Sequence, residues 1–395
     1  MKSEKLTKIF SFVLQKKFIL SLFIVLALIT GVKQYAKGSY NNYKIFKYTF
    51  WHSVNQQPLY ELSPTEYADT NHYGPVFAIV IAPFALLPDP IGTTLWNIAN
   101  VLILYFGIYS LPIKEKAKSL IALIIAHEAL GAMLSYQFNV GLTGLILLSF
   151  SYSVSQKEVK SAFSIALGSL VKLYGIIGLA FFFFVKRKWL YILSGILAFG
   201  ILFILPSILS SPQYVITSYQ DWFKSLTEKN SLNASLTSGQ DISLMGIIRR
   251  ITGDTSIPSF PFIITGIIIF LLPYLRVKQY NFLGFRLMLL ASVLIFAVIF
   301  SSSSESPTYI IAFTGIAIWF VIQPEPKNKW IIAFFIFAFI LTTLSPSDLF
   351  PKYLREQYVW KYSLKALPSV IVWVIIIFQM LTVDFKNHQS LLVEE

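Results

Sequence analysis

Glu61, Glu66, Asp69 and His72 fall within twelve residues, directly ahead of an apolar stretch that begins at Pro75. Carboxylates and an imidazole at a boundary between water and lipid suit proton abstraction from a hydroxyl, the work of a general base. The same residues serve equally as an ordinary solvated loop. Lys172 stands in Leu170-Val-Lys-Leu-Tyr174, inside an otherwise apolar run, where a charge is costly. It either binds a lipid phosphate or snorkels towards the headgroups. His127-Glu128 lies in the middle of another apolar run. His-Glu-Ala-Leu-Gly lacks the second histidine of a zinc protease, so an ion pair is expected, with Lys172 as one candidate partner. Gln137-Phe-Asn139 marks a tight turn between two spans, where Asn139 suits the turn itself and both amides suit sugar hydroxyls. In Gly239-Gln-Asp-Ile-Ser-Leu-Met-Gly-Ile-Ile-Arg-Arg250, Ser243 is placed to cap a short helix, Leu244–Ile251. Gln240 and Asp241 precede its positive end, and Arg249 and Arg250 lie near the other end, available to a phosphate. A capped surface helix with a basic end is the alternative.

These groups must be held by a membrane-embedded scaffold. The chain is 55% hydrophobic and 13% charged, about half the charge of a soluble domain. That excludes a disordered tail, a secreted disulfide scaffold and an ordinary soluble enzyme. With no cysteine, disulfides, thiolate metal sites and a Cys nucleophile are excluded too. Apolar spans are expected at Phe18–Val32, Gly92–Leu111, Ser119–Leu134, Val140–Val154, Trp189–Leu209 and Phe260–Leu275. Further spans follow at Leu287–Phe300, Tyr309–Ile322, Trp330–Leu344 and Val370–Val383. Pro75–Leu87 and Ala162–Val185 are ambiguous, the first short and broken by Pro83, the second interrupted by Lys172. The expected architecture is all-α: one polytopic membrane domain over residues 1–395, with about 10–13 membrane segments.

Orientation follows from the basic clusters. These are Lys2/Lys5/Lys8/Lys16/Lys17, Lys114/Lys116/Lys118, Lys157/Lys160, Lys186/Arg187/Lys188, Arg276/Lys278/Arg286, Lys327/Lys329 and Lys386. All are cytoplasmic, with both termini, if Pro75–Leu87 does not cross and Ala162–Val185 folds as a hairpin with its tip near Lys172. The alternative is one long span that breaks the charge rule. The first apolar run is followed by Lys33-Gln-Tyr-Ala-Lys37 without a cleavage pattern, so it is expected to be a retained anchor. The large outer loops are then 33–73 and 210–259, which puts the chemistry on the outer face of the cell membrane. Within the first loop, residues 43–54 place Ile45, Tyr48/Thr49 and Trp51/His52 at helical spacing, predicting an amphipathic helix on the membrane surface with aromatics towards lipid. The net charge of +13 is spread over short loops, which does not fit nucleic-acid binding. No phosphate-cradling loop, dinucleotide fingerprint or metal-ligand spacing is present, so neither metal nor cofactor is expected.

Several short stretches, in a shared order, resemble glycosyltransferase family 87 of the GT-C class. Tyr73-Gly-Pro75 is similar to the family's Tyr-x-Pro, and Pro83-Phe-Ala-Leu-Leu-Pro88 and Trp96-Asn-Ile-Ala-Asn100 follow in family order. Gln137-Phe-Asn139 looks like the Gln-x-Asn turn, and Leu170-Val-Lys172 like the lysine-bearing hairpin ahead of Lys-Arg-Lys-Trp. Asp241-Ile-Ser-Leu-Met-Gly246 with Arg249 looks like Asn-x-Ser-Leu-x-Gly…Arg. The C-terminal third matches only as generic spans.

The resemblance implies an integral-membrane hexosyltransferase, mannosyltransferase-like, that inverts the anomeric carbon. Its partners would be a polyprenyl-phosphate-linked sugar donor, a glycan or glycolipid acceptor and the lipid bilayer. The donor's phosphate would lie near Lys172 and Arg249 or Arg250, with His72, Gln137, Asn139, Asp241 and Ser243 as further substrate contacts. The family commonly carries an aspartate early in the first outer loop as base; counting back from Tyr60, that place falls on Asn41 or Asn42. An amide does not accept a proton at neutral pH. Either Asp69 supplies the base, with Glu66 or Glu61 behind it, or Asn42 only positions an acceptor in a different reaction, or transfer has been lost. A transporter or lipid flippase, using Lys172 and Glu128 as pathway charges, and a non-catalytic GT-C-like subunit are the rival classes.

Overall fold

The structure, a computed structural model, describes residues 11–386; Lys2, Lys5 and Lys8 of the first basic cluster lie outside the described residues. Every regular element among the described residues is helical. The helices group into two compact units. One is built from Leu20–Leu111 and Ala132–Lys229, the other from the described chain up to Ile19, Pro112–Gly131 and the chain from Asn230 on, so that the helices Lys16–Ala36 and Pro212–Asn233 each lend one end to it.

In the first unit, α1 (Lys16–Ala36), α2 (Asn41–Asn55), α3 (Phe77–Ala85) and α4 (Asp89–Tyr109) come first. Helix α5 (Glu115–Leu134) contributes residues to both units. Then follow α6 (Asn139–Val154), α7 (Glu158–Val171), a 3-10 segment (Leu173–Phe184), α8 (Lys188–Ile204) and α9 (Pro212–Asn233). The second unit holds α10 (Leu244–Thr252), α11 (Phe260–Leu271), α12 (Leu283–Ile299), α13 (Tyr309–Val321), α14 (Lys329–Ala338) and α15 (Leu367–Thr382). Among the described residues, five helices are long and apolar enough to cross a bilayer: Lys16–Ala36, Asp89–Tyr109, Glu115–Leu134, Lys188–Ile208 and Leu364–Thr382. Several shorter apolar helices accompany them.

Both ambiguous segments have a physical resolution. Helix α3 has nine residues with Pro83 inside it, which at 1.5 Å per residue is about 14 Å, too little to cross. Ala162–Val185 is a hairpin, as expected. Lys172 is its turn, in extended backbone (φ −151°, ψ 124°) between α7 and the 3-10 segment. The legs touch through glycines: a Cβ on Gly175 would sit 2.2 Å from the carbonyl carbon of Gly168, so a side chain there would force the legs apart.

Helix α2 forms where the spacing placed it, with Tyr48 and Trp51 half-buried, but a second set of its rings packs inward. Tyr43, Phe46 and Phe50 are buried. Phe46 meets Tyr73, Phe77 and Trp96 edge-on, with centroids 4.8, 4.9 and 6.0 Å away. Aromatics gain as much from an aromatic core as from an interface, and α3 lies against this face of α2. The 210–259 stretch is likewise more ordered than a loop. Its 22-residue helix α9 buries Val215, Ser218, Tyr219 and Trp222, one stripe at helical spacing.

In the second unit the partner of Glu128 is Lys365 rather than Lys172. The Lys365 amine donates to Glu128 Oε1 at 2.7 Å and to the carbonyl and hydroxyl oxygens of Ser306 at 3.0 and 2.9 Å. Both side chains of the pair are 5% exposed. Removing one partner strands a buried charge, so Lys365→Ala is expected to cost about 3–5 kcal/mol. Thermal unfolding in detergent measures it, and an unchanged transition would contradict the structural role of the pair.

Candidate active site

Gln137, Asn139 and Tyr73 gather at the hairpin tip around Lys172. Lys172 Nζ donates to Asn139 Oδ1 at 2.8 Å, and Asn139 Nδ2 donates to Gln137 Oε1 at 2.7 Å. The buried Asn139 is the first residue of α6, so the turn that begins this helix also aims the amide at the lysine. The ammonium lies 5.6 and 5.4 Å from the ring centroids of Tyr73 and Tyr174, cation–π distances that hold a charge without neutralising it. The Tyr73 hydroxyl accepts the Phe138 N–H at 3.1 Å. Gly74 N–H donates to Val171 O at 3.1 Å. A Cβ at position 74 would stand 2.0 Å from Leu170 O, so Tyr73-Gly-Pro75 needs its glycine to dock against the tip.

His72 links this cluster to α9. Its carbonyl accepts Trp222 Nε1–H at 2.9 Å. Its Nδ1 lies 3.3 Å from Ser225 Oγ and its Nε2 3.2 Å from Thr70 Oγ1. Burial, then the charge of Lys229, push the imidazole down to about 3; Asp69 pulls the other way, and Lys172 adds a smaller push. An unfolded histidine titrates near about 6.5. The unfolded chain therefore binds the proton first as pH falls, and the stability His72 contributes above that value is lost from about 6.5 down towards 3. His72 is expected to stay neutral across pH 4–8. A flat imidazole NMR shift over that range would agree, and a titration near 6.5 would contradict it.

The acids of the first loop are not equivalent. Glu66 Oε2 lies 2.7 Å from His52 Nε2, and the other ring nitrogen of His52 lies 3.1 Å from Pro58 O. Glu66 thus ties its loop to α2. Glu61 is exposed. Asp69 is exposed, in left-handed backbone (φ 80°), with Oδ1 accepting the Thr70 N–H at 2.8 Å. Its neighbour Ala68 is gripped from both sides by one side chain. The Ala68 N–H donates to Asn41 Oδ1 at 2.9 Å, and Asn41 Nδ2 donates back to Ala68 O. Only an amide offers a donor and an acceptor in this arrangement. Asn42 Nδ2 donates to Ser135 O at 2.8 Å, holding the turn ahead of Gln137.

In the second unit Ser243 caps α10 as expected, its Oγ accepting Gly246 N–H at 3.0 Å and donating to Asp241 Oδ1 at 2.6 Å. Both arginines bond within their own segment. Arg249 donates to Asp241 Oδ2, to Ile257 O and to Ser259 Oγ, the closest at 2.7 Å. Arg250 donates to the carbonyls of Ser238, Gln240 and Asp241 at 2.8, 2.8 and 3.0 Å. These guanidinium groups clamp the segment before α10, and Asp241 is their counter-ion. Asn233, the amide of an Asn-Ala-Ser sequon, is buried and donates to Ser303 Oγ at 3.2 Å, so it is not presented for glycosylation.

Trp222, Ser225 and Lys229 lie on a helix whose many polar residues resemble loop. The buried stripe Val215–Tyr219–Trp222 is the signal that reveals it. The clamping role of Asn41 has no local signature, since its partner is 27 residues away.

Long apolar helices and a polar cluster built on a hairpin turn define a polytopic helical membrane protein. The profile of glycosyltransferase family 87 matches residues 71–302, more than half of the chain, and the chain belongs to that family: it is a glycosyltransferase. The matched stretch holds His72, Gln137, Asn139, Lys172 and Asp241–Arg250, whereas Asn42, Glu66 and Asp69 precede it. No curated protein matches this sequence.

Proposed function

We propose that the protein transfers a hexose, mannose-like, from a polyprenyl-phosphate donor to a glycan or glycolipid acceptor at the outer face of the cell membrane. The donor's phosphate binds at Lys172, with Asn139 and Tyr73 holding the amine. Asp69 is the base. The acceptor hydroxyl gives its proton to Asp69 as its oxygen attacks the anomeric carbon. The bond from that carbon to the phosphate oxygen breaks, and its electron pair leaves on the phosphate. The cation at Lys172 stabilises that developing charge.

The observation that carries this reading is the two-sided grip of Asn41 on Ala68. It supports an exchange of roles at the position where the family commonly has an acid: the amide fixes the backbone next to Asp69, and Asp69 supplies the carboxylate. Arg249 and Arg250, with their donors engaged in their own loop, are left out of the donor site. Substitution of Asp69 and Lys172 in membranes supplied with labelled polyprenyl-phosphate mannose tests the assignment.

A further inference from the structure

We infer that Lys229 is a second cation for the donor's phosphate, working with Lys172 from the opposite side of residues 70–74. The inference rests on the donor site proposed above and extends it to a residue on α9.

The geometry starts from α9. Trp222 and Ser225 both bond to His72. Lys229 follows Ser225 by four residues, so it shares that face of the helix one turn further on. On the other side, Gly74 is held by Val171 O, and Lys172 lies over the Tyr73 ring. The short segment carrying His72, Tyr73 and Gly74 is therefore sandwiched between α9 and the hairpin tip, with a lysine supplied by each. Burial does most to depress the His72 imidazole, and the charges of Lys229 and Lys172 add to it from either side.

Charge conservation gives the second lysine a purpose. A polyprenyl-phosphate sugar is a phosphodiester with one negative charge; after transfer, the leaving polyprenyl phosphate carries close to two. Before reaction, two lysines balance Asp69 and the diester. Afterwards Asp69 holds the acceptor's proton, and the same two lysines balance the leaving phosphate. The site stays neutral throughout, whereas Lys172 alone would leave it one negative charge in excess in a low-dielectric setting where that is costly.

The test uses the full chain in nanodiscs, with geranylgeranyl phosphate as probe and geranylgeraniol as its uncharged control. Lys229→Ala is expected to weaken geranylgeranyl phosphate binding about tenfold, the scale of one charge-assisted contact, while geranylgeraniol binds as before. Lys229→Arg should recover most of the loss. Lys224→Ala, on the far side of α9, should change nothing. Removing Lys229 should also raise the titration point of His72, which fixes the lysine's position independently of any ligand. Binding of the phosphate within twofold of the wild type in Lys229→Ala overturns the inference, as does an equal loss for the alcohol. If Lys172→Ala alone loses the phosphate, the donor site stands and only the role of Lys229 falls. If neither variant loses it, the donor site falls as well.

Discussion

Asp69→Asn is expected to slow sugar transfer by about 10²–10⁴-fold, the contribution of a positioned general base, with donor binding unchanged. The substitution keeps the shape of the side chain and the acceptor for the Thr70 N–H but removes the ability to take a proton. The loss should therefore fall on kcat rather than on the KM for the donor. Asn41→Ala should reduce kcat in the same direction by a smaller factor, because it frees the backbone of Ala68 without touching the carboxylate. Glu66→Gln acts on the contact with His52, so its effect should appear in stability before it appears in rate. Full transfer by Asp69→Asn in membranes supplied with donor would remove Asp69 from the mechanism.

Lys172→Ala should reduce kcat/KM by about 10²–10³-fold, comparable to the loss of one preorganised electrostatic contact to a developing charge. Part of that loss should appear as weaker donor binding, because the ammonium meets the phosphate in ground and transition states alike. Lys172→Arg is expected to restore only part of the activity. The amine is seated on Asn139 between two tyrosine rings, and a planar guanidinium does not reproduce that point contact. Donor affinity unchanged in Lys172→Ala would contradict the assignment.

Much of this architecture was legible in the residues. The basic clusters on either side of Ala162–Val185 favoured a hairpin with its tip near Lys172 over one long span, and the structure has the turn there. The apolar helices followed from apolar run lengths, and the Ser243 cap from residue type and position. Other features were hidden for identifiable reasons. The polar residues of α9, such as Gln213, Asp221 and Lys224, made a helix look like loop, although its buried stripe follows the helical period. The aromatics of α2 suit lipid and core equally, and only tertiary packing decides between them. Glu128 finds its cation 237 residues away, a separation across which sequence carries no pairing signal. The pair it forms with Lys365 gives Glu128 a structural role, where the transporter reading used it as a pathway charge. The arginines near the end of α10 offered charge in the right chemical form, but charge in a sequence does not say whether an internal carbonyl or carboxylate has already taken it.

Proteoliposomes containing polyprenyl-phosphate mannose labelled in the sugar, with a glycolipid acceptor, test the central claim most directly. Mild acid cleaves the phosphodiester of the donor but not a glycosidic bond, so acid-stable label measures transfer itself. Acid-stable label should accumulate in the acceptor with the wild-type protein and fall to background with Asp69→Asn. Label that remains wholly acid-labile with the wild-type protein, whether or not it crosses the bilayer, would contradict that claim.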